Sequence, residues 1–318
     1  MKLPSTGMHG ACLRSDAVAV LGEYRVRAAL EDGELVSTWA GVVAEPSRAA
    51  DPRTIVASAV LAGGDSVIVA GPTAARLHGC TAAEMLPVHL VAPYGHWMRS
   101  VPGLVVHNGR FLDRDRDCVD GLAVLGLERV VTDLLCRSRP QDALAVTDQV
   151  LARFEPTERS AFRARIADRL DERPDPRGTR AARQLLQLAT GRAESPAESW
   201  LLWTVVDLGF PVPEANWSVR DLDGVELYRL DLAWPTLRIA VEYDGYAAHA
   251  GRGEQDAARI RDLERRGWLV IIVGAADLGE PVRLERELSA ALSARGWDLR
   301  QRRVGAARRR RHREWQAS

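Results

Sequence analysis

The C-terminal part of the chain contains the segment Leu227-Tyr-Arg-Leu-Asp231-Leu-Ala-Trp-Pro-Thr-Leu-Arg-Ile-Ala-Val-Glu242-Tyr-Asp244-Gly245. Two apolar runs flank a short break, which predicts two consecutive strands joined by a turn near Thr236. Asp231 then faces Glu242 across the hairpin. Because side chains alternate along a strand, Glu242 and Asp244 share one face. The pattern predicts three carboxylates on one small patch of sheet.

Carboxylates that cluster in apolar strands repel each other, and removing each from water costs several kcal/mol unless a cation compensates. Hard oxygen ligands suit magnesium or manganese, which stabilise phosphate charge and activate water. The cluster therefore predicts a metal held by Asp231 and Glu242. The alternative is an ion-pair set in which Arg229 and Arg238 neutralise the carboxylates.

Downstream of the hairpin, residues 254–266 have a helical pattern, and the apolar run from Trp268 to Val273 predicts a buried parallel strand. His249 precedes this helix and could move protons near neutral pH, although a lone histidine is more often structural. Arg259 and Arg261 on the helix could hold phosphates, whereas most charges on such a helix are simply solvated.

Upstream of the hairpin, Ser195-Pro-Ala-Glu198 opens an apolar helical run. Serine at the N-cap, proline at the first helical position and glutamate at the third form a capping-box signature. Glu198 therefore has a structural interpretation as a cap, which we favour, and a functional one as an acidic residue supporting the metal site.

The remaining chain predicts an α/β protein with several domains. The expected order is a winged-helix-like α+β module over 1–57, an α/β and helical region over 58–178, a linker helix over 179–193, a nuclease-like mixed sheet flanked by helices over 194–298, and a basic tail over 299–318. The four histidines at 78, 89, 96 and 107 lack the paired spacing of a metal set.

Composition narrows the choice of function. The 318 residues have a formal net charge of zero, so a uniformly basic nucleic-acid coat is excluded but a local basic face is not. Lys2 is the only lysine, which removes lysine from any catalytic role in the rest of the chain. The four cysteines are scattered, and no apolar stretch is long enough to span a bilayer, so a cytoplasmic protein without membrane contact is expected.

An ordered set of motifs resembles the very-short-patch-repair-like (Vsr-like) endonuclease domain of the PD-(D/E)xK restriction-endonuclease superfamily. The motifs are Asp231-Leu-Ala-Trp-Pro235, Val241-Glu-Tyr-Asp-Gly245, His249, Asp256-x-x-Arg259, Leu263 and Gly267-Trp268.

This resemblance implies that Asp231 and Glu242 bind magnesium, that His249 belongs to the catalytic group, and that Asp256 supports it. Asp244 is included among the catalytic residues because it belongs to the predicted carboxylate patch. Asp244 stands where most members of the superfamily have the catalytic lysine. That departure favours either catalysis assisted by His249 or a domain that only binds DNA.

The region from Ala17 to Ala189 is similar to the AbiEi-type antitoxin and transcriptional-regulator family. The likeness is carried by Gly71-Pro-Thr-Ala-Ala-Arg-Leu-His-Gly79 and by the run from Gly121 to Asp133. It implies a winged helix that binds promoter DNA. Only this likeness suggests a toxin partner. The sequence does not indicate the oligomeric state.

Two functions are therefore expected. The first is a magnesium- or manganese-dependent endonuclease that hydrolyses DNA, in phage defence or DNA repair. The second is a regulator or antitoxin that binds operator DNA and retains a vestigial nuclease fold.

Overall fold

The computed structural model describes residues 7–245 and 253–303. The chain forms two compact units, one from Met1–Arg137 with Ala164–Thr179 and the other from Ser138–Arg163 with Arg180–Ser318. Both contain helices and sheets, so the expected α/β class with more than one compact part is confirmed. No helix in the described ranges is long and apolar enough to cross a membrane.

The first unit begins with a small three-stranded sheet and two short helices. The elements in order are β1 (Ala11–Leu13), α1 (Arg14–Leu21), α2 (Glu23–Glu31), β2 (Val36–Trp39), β3 (Val42–Ala44) and α3 (Pro52–Gly63). The strands are ordered β1-β3-β2 and all neighbours are antiparallel. The expected helices and hairpin of the N-terminal region are confirmed, and β1 adds a strand that was not expected.

A mixed five-stranded sheet follows. Its elements are β4 (Ile68–Val69), α4 (Gly71–Leu77), β5 (Val88–Ala92), β6 (Leu104–Asn108), β7 (Arg116–Val119), β8 (Leu122–Leu125) and α5 (Leu127–Arg137). The strand order is β6-β5-β4-β8-β7. Asp120 and Gly121 join β7 to β8 with φ angles of 52° and 80°, as a tight hairpin turn requires.

The second unit combines helices with a mixed four-stranded sheet. Its elements are α6 (Pro140–Leu151), the first part of α7 (Pro156–Asp171), α8 (Thr179–Leu188), α9 (Pro196–Asp207), β9 (Glu214–Arg220), β10 (Glu226–Trp234), β11 (Ile239–Tyr243), α10 (Gly253–Arg265), β12 (Leu269–Val273), α11 (Ala275–Gly279) and α12 (Val282–Ala294). The order is β12-β11-β10-β9, with only β11 and β12 parallel. The expected hairpin and parallel addition are therefore confirmed.

The second unit includes α6, which lies well before the domain start expected near Glu194. Asp148 on α6 is 1% exposed and explains this packing. Its carboxylate accepts bonds from the Thr190 and Gly191 N–H groups and from the Ser199 hydroxyl, each at 2.8 Å. These contacts fix α6 to the start of α9. No local sequence pattern predicts them, since the partners are more than forty residues away.

The first unit contains a comparable buried network around Asp115, which is 3% exposed. Its carboxylate accepts bonds from Arg169 at 2.7 Å, Arg129 at 3.2 Å and the Leu112 N–H at 3.0 Å. Burial alone would raise the pKa of Asp115, but these donors outweigh it and hold the pKa below the ordinary value. The network joins residues 164–179 to the rest of the unit.

Asp115→Asn should lower the free energy of unfolding of this unit by about 3 kcal/mol, because the partly buried Arg129 and Arg169 lose their shared counter-charge. Urea denaturation measures the change. Asp113→Asn is the matched control, since Asp113 is fully exposed in its contact with Arg116 and should change stability by less than about 0.5 kcal/mol. Equal effects of the two substitutions would contradict the role of this network.

Candidate functional site

The hairpin of β10 and β11 brings together the two carboxylates that the sequence analysis placed opposite each other. Leu232 pairs with Val241 and Ala233 with Ala240, so the same register sets Asp231 against Glu242. The Tyr243 N–H donates a 2.8 Å hydrogen bond to Asp231 Oδ2. The expected juxtaposition of Asp231 and Glu242 is therefore present.

Asp231 lies in an environment that disfavours its charged form. Burial is the main reason that its pKa is raised to about 7, and the carboxylates of Glu198 and Glu242 raise it further. The Tyr243 N–H and the positive charge of Arg259 lower the pKa, but together they do not offset burial and the two carboxylates. Ionised Asp231 therefore has less compensating positive charge than a buried carboxylate needs.

Glu242 has a direct counter-charge. The residue is 8% exposed, and both of its carboxylate oxygens accept hydrogen bonds from Arg259, at 2.5 and 2.7 Å. Such a bidentate pair is the strong form of a charge-assisted hydrogen bond. It also raises the pKa of Arg259 above its ordinary value. Arg259 is thus the resident cation of the site.

A second layer of contacts fixes Arg259. Its guanidinium also donates to the Arg229 carbonyl at 2.9 Å and lies 5.8 Å from the centre of the Tyr228 ring. The Tyr228 hydroxyl in turn donates to Asp262 at 2.9 Å. Because each contact involves a different partner, the guanidinium is held in one orientation.

Glu198 is a cap and also a neighbour of Asp231. Ser195 is the N-cap of α9, and its hydroxyl accepts the Glu198 N–H at 3.2 Å, as the sequence pattern predicted. The Glu198 carboxylate accepts bonds from the Glu194 N–H at 2.8 Å and from the Asn216 amide at 3.1 Å. The Ser195 half of the predicted capping box is confirmed, whereas the Glu198 carboxylate accepts the N–H of Glu194 rather than that of Ser195. The effect of Glu198 on the pKa of Asp231 also places it at the site.

The other expected site residues make no hydrogen bond or ion pair with these carboxylates among the described contacts, although the charge of Asp256 contributes to the raised pKa of Arg259. Asp244 follows the end of β11 and is exposed, with its N–H bonded to the Val273 carbonyl at 2.8 Å. Asp256 and Arg261 are exposed on α10. His249 lies outside the described residues, as does the tail beyond residue 303.

The arginines proposed as alternative partners of the carboxylates do not neutralise them. Arg229 pairs with Glu194 at 2.6 Å and with Glu226 at 2.9 Å. Arg238 donates to the Arg266 carbonyl at 2.8 Å. An ion pair of the expected kind does exist at the site, but Arg259 makes it.

Asn216 and Asp148 contribute to the arrangement without having been expected from the sequence. Asn216 on β9 contacts Glu198, and Asp148 fixes the neighbouring Ser199. The alternation of Ala215, Trp217 and Val219 with polar residues is a strand signal that could have located Asn216. Asp148 has no such signal.

Among residues 7–245 and 253–303, no group of three or more His, Cys, Asp or Glu side chains is arranged to hold a metal ion. Both oxygens of Glu242 accept bonds from Arg259, whereas the bonds to Glu198 and Asp231 come from uncharged N–H donors. The arrangement can hold or release a proton at Asp231 near neutral pH.

The structure defines a mixed α/β protein whose second unit has a carboxylate cluster at one hairpin. No protein-family model matches the chain. Two proteins of Mycobacterium tuberculosis, uncharacterized protein MT2308 of strain CDC 1551 / Oshkosh and uncharacterized protein Rv2248 of strain ATCC 25618 / H37Rv, are each 33% identical to it over 271 residues. The matches cover 83% of the chain and 94% of each relative. The chain belongs to the family of these mycobacterial proteins.

Among solved structures, the chain is similar to the RV2827C protein from Mycobacterium tuberculosis, with 17% identity and a TM-score of 0.42. The match covers 67% of the chain and 84% of that protein. A TM-score of 0.42 does not establish that the two proteins share a fold.

Asp231→Asn should stabilise the metal-free protein at pH 8 by about 2 kcal/mol, because asparagine can still accept the Tyr243 N–H without carrying a charge. The folded-state pKa is raised, so the stability that protonated Asp231 provides is complete below its unfolded pKa and is lost as pH rises through about 7. The advantage of the variant should therefore grow between about pH 4 and pH 7 and stay constant above.

Urea denaturation in a chelator at pH 5 and pH 8 measures this dependence. Asp244→Asn is the matched control, because Asp244 is exposed and its substitution should change stability by less than about 0.5 kcal/mol at either pH. A stability difference for Asp231→Asn that does not vary with pH would contradict the assignment.

Proposed function

We propose that the protein is a magnesium- or manganese-dependent endonuclease that hydrolyses phosphodiester bonds in DNA. The observation that carries the proposal is the meeting of Glu198, Asp231 and Glu242, from α9, β10 and β11, with Asp231 short of positive charge. Three carboxylates at one place are costly unless a cation or a reaction uses them. The proposal extends to a restriction-endonuclease-like fold for the second unit and to the resemblance with Vsr-like endonucleases.

Two of the three carboxylates, those of Glu198 and Asp231, suit a divalent metal. Magnesium and manganese prefer carboxylate oxygens and retain several water ligands, so two protein carboxylates are enough for a site that also binds phosphate. Glu198 and Asp231 would hold the metal, and Glu242 would join them only after Arg259 releases it. A metal at this place supplies a Lewis acid for the phosphate and lowers the pKa of a bound water.

The residues of the chain have distinct tasks in this proposal. Tyr243 orients Asp231 through its N–H, and Asn216 orients Glu198. Arg259 neutralises Glu242 in the resting site and offers its planar guanidinium to a phosphate when DNA enters. Arg261 is exposed on the same helix and contacts the DNA backbone. His249 supplies the proton transfer that a lysine performs in most related enzymes.

Cleavage of supercoiled, linear, mismatched and single-stranded DNA with magnesium or manganese tests this function. Asp231→Asn should lower the cleavage rate at least about a hundredfold, because the metal loses its central ligand. His249→Ala should lower the rate by about a hundredfold as well, since general acid–base catalysis commonly contributes that much.

Glu280→Gln is the matched control, because Glu280 is exposed at the end of α11 and should leave the rate unchanged. Cleavage that persists in Asp231→Asn, or that survives a chelator, overturns the proposal.

A second candidate function is a DNA-binding regulator or antitoxin of the AbiEi type with a vestigial nuclease fold. It is favoured by the bidentate pair between Arg259 and Glu242, which satisfies Glu242 without a metal. The order of β1, α1, α2, β2 and β3 is compatible with a small winged-helix-like DNA reader.

This alternative predicts operator binding that is salt-sensitive, needs no metal and is unchanged in Asp231→Asn. Arg27→Gln on α2 should weaken operator binding several-fold, because Arg27 is exposed beside the exposed ring of Tyr24. Electrophoretic mobility shift in a chelator measures it. Equal affinity of wild type and Arg27→Gln, with binding lost in Asp231→Asn, would contradict the regulator.

A further inference from the structure

The loop that joins β5 to β6 in the first unit presents large aromatic side chains to solvent. This aromatic loop, Pro93–Gly103, contains Tyr94, which is 73% exposed, and Trp97, which is 62% exposed. Exposed tryptophan is uncommon, and Trp and Tyr are enriched where proteins recognise partners. Neither ring takes part in the carboxylate site described above.

The loop is fixed by its own contacts. Met98 is 4% exposed and packs near Gly63, while His96 Nε2 lies 3.2 Å from the Gly63 carbonyl oxygen. His96 Nδ1 accepts the Met98 N–H at 3.1 Å. The Arg99 guanidinium donates to the Met98 carbonyl at 3.0 Å. The aromatic rings are therefore presented from an ordered backbone, so little conformational entropy is lost when a partner binds.

The edge of β6 beside this loop is already occupied. β6 is the outermost strand of its sheet, and an unpaired edge could add a peptide strand. However, Leu104 exchanges two backbone hydrogen bonds with Val101, at 2.9 and 3.0 Å, and the Val106 N–H donates to Ser100 Oγ at 2.9 Å. Strand addition is therefore blocked, and the aromatic side chains are what the loop offers to a partner.

The charge of this segment matches a polyanion. Residues 85–112 contain no Asp or Glu, although the chain has 43 in 318 residues and a segment of this length would contain about four. The same segment contains Arg99 and Arg110, both exposed. Arg110 lies near the start of the loop, because Asn108 donates to the Pro93 carbonyl at 3.4 Å. Aromatic rings with arginines and without carboxylates favour a nucleic acid over a typical protein surface.

We infer that the aromatic loop binds an unpaired nucleic-acid strand, with bases stacked on Trp97 and Tyr94 and phosphates near Arg99 and Arg110. Stacking on aromatic side chains needs the open face of a base, which a duplex does not offer along its length. The inference is independent of the nuclease proposal, since it uses no residue of the carboxylate cluster and needs no metal.

Titration of the full-length protein with a fluorescent oligothymidylate in a chelator tests the inference. Trp97→Ala and Tyr94→Ala should each weaken binding about tenfold, and Trp97→Phe should retain most of the affinity because it keeps a stacking face. Arg110→Gln should reduce the slope of log affinity against log salt by about 0.7, as the loss of one phosphate contact with a single strand predicts. A duplex of equal length should bind about tenfold more weakly than the single strand.

Leu222→Ala is the matched control, because Leu222 is fully exposed in the other unit and should leave the affinity unchanged. Circular dichroism melting of each variant shows that the fold is intact. Wild-type affinity in both loop variants overturns the inference. The inference is also overturned if the loop variants lose self-association in sedimentation analysis while their oligonucleotide binding is unchanged, because the loop would then be a protein contact. Failure of metal-dependent cleavage leaves the inference intact.

Discussion

The register between β10 and β11 is the constraint on which the candidate site depends. A slip of one residue would move every side chain of the hairpin to the opposite face, and the core does not allow it, because Leu230, Ala233 and Ala240 pack with Leu263 of α10 in one buried cluster. Apolar packing therefore brings Asp231 and Glu242 together despite their mutual repulsion. The surroundings compensate the two carboxylates unequally, since Glu242 has a guanidinium and Asp231 has one N–H group.

The sequence contains most of the local information about this site. The two strands, the parallel β12 and the capped start of α9 could all be predicted, because strand alternation and capping involve residues close together in the chain. The sequence contains two further local signals, one for a strand and one for a turn. One is the alternation in Glu214–Arg220, and the other is Asp120-Gly121, which is typical of a tight hairpin.

Long-range contacts explain what could not be predicted. The choice of Arg259 over Arg229 and Arg238 as partner of Glu242 depends on how α10 lies against the sheet. Periodicity indicates which helix face is apolar, but it does not indicate which cation meets a buried carboxylate. In the same way, Asp148 accepts backbone N–H groups of the loop before α9, and the sequence of that loop does not indicate such a partner. Gly191 is required there because an added Cβ would lie 2.8 Å from the Cβ of Leu151.

A chain of zero net charge can still recognise a polyanion if its charges are separated into regions. The carboxylate cluster of the second unit repels phosphate until a cation offsets it, so a nucleic acid gains little affinity from that cluster alone. The aromatic loop of the first unit lacks carboxylates and offers stacking, whose energy does not depend on a metal. Under the two proposals, the first unit supplies affinity for an unpaired strand and the second unit supplies the chemistry, so each has the charge that its task requires.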